Sequence, residues 1–317
     1  MKKSLLFFWA ISASIFSISF GCNGGIFNNI SQIDSTSPWV PIPHSELDNF
    51  AQLPAVKFWQ RVLSLNSDSV VVFSKGERQI LRILPQSDLK LLQDSCGRDS
   101  FYHNIRFHHE LNHACQLKYL QGRKEFYHFN NVVPAIPVAA KIFSQFEVSP
   151  VLAELVLLIE SPSNPHIKSI SGAAGHFQLM PYVAKKYGLT ISSNQDDRVN
   201  LEKSAMAAAK HFKYYCIPQA NKILQNNHID IDQNALWYQL FVLHVYHAGS
   251  GNVAKVVQEI GEVRDGNYLI QMMWQFTAGG FKSSSQNYSQ IALAAYLNYE
   301  AFLFNINNST NGSQNTR

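Results

Sequence analysis

The sequence predicts a mainly α-helical protein. Three stretches carry that prediction: an apolar run from Val151 to Ile159 framed by Ser149-Pro150 and Pro162, an Ala-rich run over 199–215, and a largely apolar run over 234–248 closed by Gly249. Each is longer than a buried strand and is bounded by residues that start or stop helices. Hydrophobic residues make up 46% of the 317, enough for a sizeable core, whereas charged residues are only 15%. The net charge of +4 is compatible with an anionic polymer and too weak to argue for nucleic acid.

In chain order, residues 1–22 read as an export signal. Lys2 and Lys3 precede an apolar stretch from Leu5 to Phe20 that exits through Gly21-Cys22. The Ser19-Phe20-Gly21-Cys22 end resembles the lipobox of bacterial lipoproteins, though Ser19 and Phe20 depart from its usual residues. The expectation is a lipid on Cys22, a membrane anchor through that lipid, and a periplasmic protein at the outer membrane. Residues 23–45, with Ser37-Pro38 and Pro41-Ile42-Pro43, read as a flexible tether. Residues 46–140 read as a helical N-terminal region. Phe58, Val62 and Leu63 share one helix face, Ile80, Leu81, Ile83 and Leu84 suggest a second helix, and a third is expected over 103–120.

Residues 141–304 are the more legible part. Ser149-Pro150 is an N-cap followed by proline at the first helical position, and Pro162 stops the helix. A Ser-, Asn- and Gly-rich loop leads to a short helix over 181–188. Asp196-Asp197 suit the start of the Ala-rich helix, and a last helix is expected over 287–304. The tail 305–317 is expected to be disordered. Cys96 and Cys115 are the easiest disulfide pair by position, with Cys216 a buried free thiol, but sequence does not settle the pairing.

Glu160 stands out because it follows five apolar residues at a helix end. Burial and the negative end of the helix dipole both raise a carboxyl pKa there, as an acid that protonates a leaving oxygen requires. A glutamate turned outward at a fraying end is the other reading, and these considerations alone leave both open.

Residues 150–181 decide between them. Glu160-Ser161, Asn164-Pro165, Ser169, Gly172-Ala173, Gly175 and Gln178-Leu179-Met180-Pro181, followed by the block Tyr246 to Val253 and then Asn287-Tyr288, resemble the lytic transglycosylases of the goose-lysozyme-like (SLT domain) superfamily, closest to the membrane-bound lytic transglycosylase D type. The resemblance implies a lysozyme-like helical transglycosylase domain over 141–304 and peptidoglycan glycan strands as the partner. It also implies cleavage of the bond between N-acetylmuramic acid and N-acetylglucosamine to leave 1,6-anhydro ends, with no metal or cofactor. Glu160 would be acid and then base. Ser169, Gln178, Met180, Tyr246 and His247 would contact substrate, and Tyr288 would sit over Glu160. Two residues depart from the pattern: His247 replaces an asparagine, and His176 replaces a leucine. A lysozyme-type hydrolase of the same bond is the nearest alternative.

Two other classes remain. His109-Glu110-Leu111-Asn112-His113 matches H-E-x-x-H, which on a helix places two imidazoles on one face for zinc; Glu125 is the available third ligand, at an unusually short spacing. The His247 change makes a catalytically silent wall-binding protein the third reading.

Overall fold

The computed structural model describes residues 40–314 except Ser163. The expected signal peptide with Cys22, and the expected tether as far as residue 39, lie outside the described residues. Helices dominate. In chain order they are α1 (His44–Ala51), α2 (Pro54–Ser64), α3 (Leu89–Gln93), α4 (Ser95–His108), α5 (Ala135–Gln145), α6 (Pro150–Glu160), α7 (Pro181–Lys186), α8 (Leu201–His211), α9 (Ile217–Asn226), α10 (Leu236–Ala248), α11 (Ser250–Ile260), α12 (Gly266–Met273) and α13 (Ser283–Gln314). Three strands, β1 (Ser69–Ser74), β2 (Ile80–Pro85) and β3 (Leu117–Gln121), form one sheet. No helix among the described residues is long and apolar enough to cross a membrane.

The described chain divides into two compact units, 61–128 and 40–60 joined with 129–314. Contacts therefore divide elsewhere than at the expected boundary between 140 and 141. In the first unit the sheet has the order β2-β1-β3, antiparallel throughout, with Val70 opposite Leu84 and Val71 opposite Ile83. Val70, Val72, Leu81 and Leu84 bury their side chains with Leu92, Tyr102, Ile105 and Leu117.

The sheet corrects the sequence reading of Ile80, Leu81, Ile83 and Leu84 as a helix. Ile80, Leu81, Ile83 and Leu84 fit a helix face, but the run is only six residues long and faces the β-branched run Val70-Val71-Val72. Short apolar runs do not distinguish strand from helix, and the partner strand decides. The helix expected over 103–120 is α4, which begins earlier at Ser95, where Asp94 caps it by accepting from the Gly97 amide at 2.6 Å. It stops at His108, and the chain then turns into β3.

The second unit is built around α6. Its residues 152–159 are all buried, because the helix is apolar almost all round. It packs against α5, α10 and α13. Each leucine so buried contributes about 1.5–3 kcal/mol. The Ala-rich helix runs through α8 into a π-helical turn, Phe212–Cys216, and continues as α9. Pro218 explains the widened turn: its ring has no N–H to donate and crowds the carbonyl four residues before it.

Two further expectations are corrected, and that of Cys216 as a buried free thiol is borne out. Residues 40–45 are not a loose tether, since Val40 and Ile42 are 3% and 4% exposed. Alternation of apolar residues with prolines holds this segment extended, and the apolar side chains find a core. The tail from Asn305 continues α13 to Gln314, because extending a packed helix needs no new nucleus. Cys96, Cys115 and Cys216 are all free thiols, and Cys216 is buried.

Candidate active site

Pro162 ends α6 and leaves the Glu160 carboxyl at the negative end of the helix. Glu160 is partly buried, and its Oε1 accepts a hydrogen bond of 2.6 Å from the Tyr288 hydroxyl near the start of α13. Burial pushes the Glu160 pKa up to about 7, and the Tyr288 hydrogen bond holds it from going further. Neither influence is a second carboxylate. Near neutral pH this group can therefore give a proton and take one back.

The ring of Tyr288 stacks on His247, with centroids 4.1 Å apart and planes 22° apart. The stack covers one face of the imidazole, and the resulting desolvation lowers its pKa, while the rest of the ring is exposed. His247 is thus a neutral support beside the acid. One turn earlier on α10, buried His244 is pushed down to about 3 by desolvation, and its Nε2 lies 2.9 Å from the Ser289 hydroxyl of α13. The Trp274 indole donates to the same hydroxyl at 2.8 Å, which ties α10, the end of α12 and α13 together behind the site. The Tyr246 hydroxyl donates to the Phe177 carbonyl, and its ring stacks on Phe212 of the π-helical turn at 4.7 Å.

The loop between α6 and α7 is fixed by Arg198, which is 1% exposed. Its Nε and Nη2 donate to the two carboxylate oxygens of Asp196, at 2.8 and 2.6 Å. Its Nη1 donates to the carbonyls of Gly172 and Leu179, at 2.7 and 2.9 Å. Gly175 has φ +81°, and a Cβ there would stand 1.8 Å from the Arg198 carbonyl, so only glycine fits.

Within this loop the Ser169 hydroxyl accepts from the Ala173 amide at 2.9 Å. Gln178, at φ +42°, donates through Nε2 to the carbonyls of Ile167 and Gly175, at 2.9 and 3.0 Å. Both side chains thus shape the loop, whatever else they contact. Met180 is partly exposed at the start of α7 rather than in the core. The His176 carbonyl accepts from the hydroxyl of Ser161, the neighbour of Glu160, at 2.9 Å. His176 lines a cavity of about 380 Å³ with Asn131, Asn164, His166 and Ser161.

Several contributors were not singled out from the sequence. Asn252, in the second motif block, donates to the Ala248 carbonyl and accepts from the Gly280 amide, both at 2.9 Å. Tyr215 hydrogen-bonds Ser250 at 3.0 Å and so holds the turn after Gly249. Glu154 is fully buried six residues before Glu160. Its apolar surroundings are the same signal that marked Glu160.

The zinc reading loses its geometry. It needs both imidazoles on one helical face, yet α4 ends at His108 and Glu110 takes φ +52°. Glu125 is engaged elsewhere, accepting from the Ser67 amide at 2.9 Å.

Residues 137–269 match the family model described as Transglycosylase SLT domain, a range that contains Glu160, the Arg198 loop and the second motif block. Residues 137–269 are thus similar to a transglycosylase SLT domain. Tyr288 lies beyond the matched range and reaches it from α13. Curated relatives include membrane-bound lytic murein transglycosylase D of Escherichia coli strain K12 and that of Escherichia coli O6:H1 strain CFT073. Each is 29% identical over 143 residues, which cover 44% of this chain and 28% of the relative. The chain thus spans little more than a quarter of the length of these relatives.

The Tyr288–Glu160 bond has a pH signature. Tyr288→Phe removes the contact that holds the Glu160 pKa down. The carboxyl then stays protonated to higher pH, so the alkaline limb of any Glu160-dependent activity is expected to move upward. A pH–rate profile checks this; an unmoved or acid-shifted limb contradicts it.

Proposed function

We propose that this protein is a peptidoglycan lytic transglycosylase with Glu160 as acid and then base. The observation that carries the reading is a carboxyl at the end of a buried helix, raised to about 7 and held by the Tyr288 hydroxyl. Glu160 gives its proton to the oxygen linking N-acetylmuramic acid to N-acetylglucosamine, and the bond to the muramyl C1 breaks. The acetamido group of the substrate stabilises the positive charge at C1. The Glu160 carboxylate then takes the proton of the muramyl 6-hydroxyl, whose oxygen closes on C1. Atoms balance without water, and the glycan ends in a 1,6-anhydro sugar. One carboxylate suffices, in contrast to glycosidases that flank the bond with two.

His247 supports this chemistry by stacking on Tyr288, and Tyr246 lies close enough for the Glu160 charge to raise its own pKa. Ser169, Gln178 and Met180 present the loop to the sugar. Purified sacculi digested with the protein are expected to yield anhydromuramyl ends, lighter by one water than reducing ends. Reducing ends would make the protein a lysozyme-type hydrolase, and no released fragments a wall-binding protein.

We also propose that the protein works in the periplasm, anchored at the outer membrane through lipid on Cys22. The apolar run ending in Gly21-Cys22 supports this. Radiolabelled palmitate is expected in the wild type and not in Cys22→Ala, with the variant released as soluble protein. Equal release of both forms would contradict it.

A further inference from the structure

Residues 40–51 hydrogen-bond to each of the three helices that supply the site. The Val40 amide donates to Glu154 Oε2 of α6 at 2.9 Å. The Ile42 amide donates to the Tyr296 hydroxyl of α13 at 2.9 Å, and that hydroxyl donates to the Val40 carbonyl at 3.2 Å. Glu46 Oε2 accepts the Leu236 amide at 3.1 Å and so caps the start of α10. Glu160 ends α6, Tyr288 begins α13, and Tyr246 and His247 close α10. Val40, Ile42, Leu47 and Phe50 are buried alongside, and Phe50 meets Trp274 at 5.9 Å.

We propose that residues 40–51 are a positioning strap that sets the spacing of α6 and α13, and through it the hydrogen bond from Tyr288 to Glu160. The inference rests on the proposed role of Glu160. Glu154 lies six residues from Glu160, about 9 Å along α6, and Tyr296 lies eight residues from Tyr288, about 12 Å along α13. Glu160–Tyr288 and Glu154–Tyr296 are thus two rungs between antiparallel helices, and the strap closes the second rung. Side chains in packed helices transmit such constraints because cores do not deform continuously.

The chemistry of the second rung supports a fixed clamp. Glu154 has no exposure, and its carboxyl faces Tyr296, Tyr299 and Glu300, with the Val40 amide as its donor. Burial pushes its pKa well above the usual carboxylate range, which favours the uncharged form of a carboxyl in the core. Glu300 is pushed up to about 7 by burial, and the Tyr296 hydroxyl, with one hydrogen, divides its donation between Glu300 and the Val40 carbonyl. The titratable groups acting on Glu160 itself are Tyr288 and, more distantly, Tyr246.

The test uses the full chain and three variants. Tyr296→Phe removes the acceptor of the Ile42 amide and the donor to Val40. Glu154→Leu removes the acceptor of the Val40 amide, and Glu154→Gln restores one. Hydrogen exchange of the Val40 and Ile42 amides reads the strap, and ¹³C carboxyl NMR of Glu160 reads its effect. Neither needs substrate, so failure of the strap and failure of the transglycosylase reading are separable. Protected amides are expected in the wild type. Folded Tyr296→Phe is expected to exchange Ile42 at least about tenfold faster and to raise the Glu160 pKa by roughly 0.5–1 unit, a weakening by part of the roughly 1–2 units that one whole hydrogen bond to a charged group is worth. Glu154→Gln is expected to match the wild type and Glu154→Leu to follow Tyr296→Phe. A purely structural role would lower the melting temperature and leave the Glu160 titration unmoved, and that result overturns the proposal. So do Val40 and Ile42 amides that exchange freely in the wild type. If Glu154→Leu fails to fold, Tyr296→Phe, which only deletes a hydroxyl, decides.

Discussion

Glu160→Gln is expected to lower glycan cleavage by about 10²–10⁴-fold while leaving the fold in place. Glutamine keeps the shape of the side chain, and its carbonyl still accepts from Tyr288, but it cannot deliver or accept the proton. The same variant has a stability signature. The folded pKa of about 7 lies above the ordinary 4.5, so the native state holds this proton more tightly than the unfolded chain. The Glu160 contribution to stability therefore falls as pH rises from about 4.5 and levels off above about 7. Glu160→Gln never ionises and is expected to lose that decline. Denaturant titrations of both proteins at pH 5 and pH 8 measure the difference. Equal pH dependence would contradict the raised pKa, and unchanged activity would contradict the assignment.

Arg198→Met carries the largest expected loss of stability. It leaves the Gly172 and Leu179 carbonyls without their donor and removes both bonds to Asp196. Two carbonyls left without a donor, at about 1–3 kcal/mol each, together with the lost bonds to part-exposed Asp196, cost about 3–5 kcal/mol. For a unit of this size that lowers Tm by roughly 6–20 °C. Arg198→Lys is expected to recover only part, because an ammonium cannot replace the planar fork. The Arg198 hydrogen bonds hold the Asp196 pKa below its ordinary value. The pair therefore stabilises the fold above that value, and its contribution is lost as pH falls through the depressed one. A calorimetric scan showing Arg198→Met as stable as the wild type would remove Arg198 from its role in the loop.

The helical part of this site was legible because each signal is local. A proline stop after an apolar run gives α6 and places Glu160 at its end, and Gly249 closes α10 just past His247. The sheet was not legible, because Ile80 to Leu84 satisfies two periods at once and only Val70 to Val72, its partner in space, chooses between them. The strap was hidden for a similar reason. Val40 and Ile42 among prolines look like linker until Glu154 and Tyr296, more than a hundred residues away, supply their partners. Glu154 itself lay just beyond the five apolar residues that made Glu160 conspicuous. The role of Arg198 rests on the four hydrogen bonds of its guanidinium, two of them to carbonyls 26 and 19 residues earlier in the chain.

The proposed cleavage breaks the glycosidic bond without water. Digestion of purified sacculi in ¹⁸O-labelled water, with the new glycan ends weighed by mass spectrometry, tests it most directly. Anhydromuramyl ends free of ¹⁸O, absent when Glu160→Gln replaces the wild type, are the expected result. Reducing ends that carry one ¹⁸O would show that water attacks C1, and would contradict the intramolecular closure assigned to Glu160.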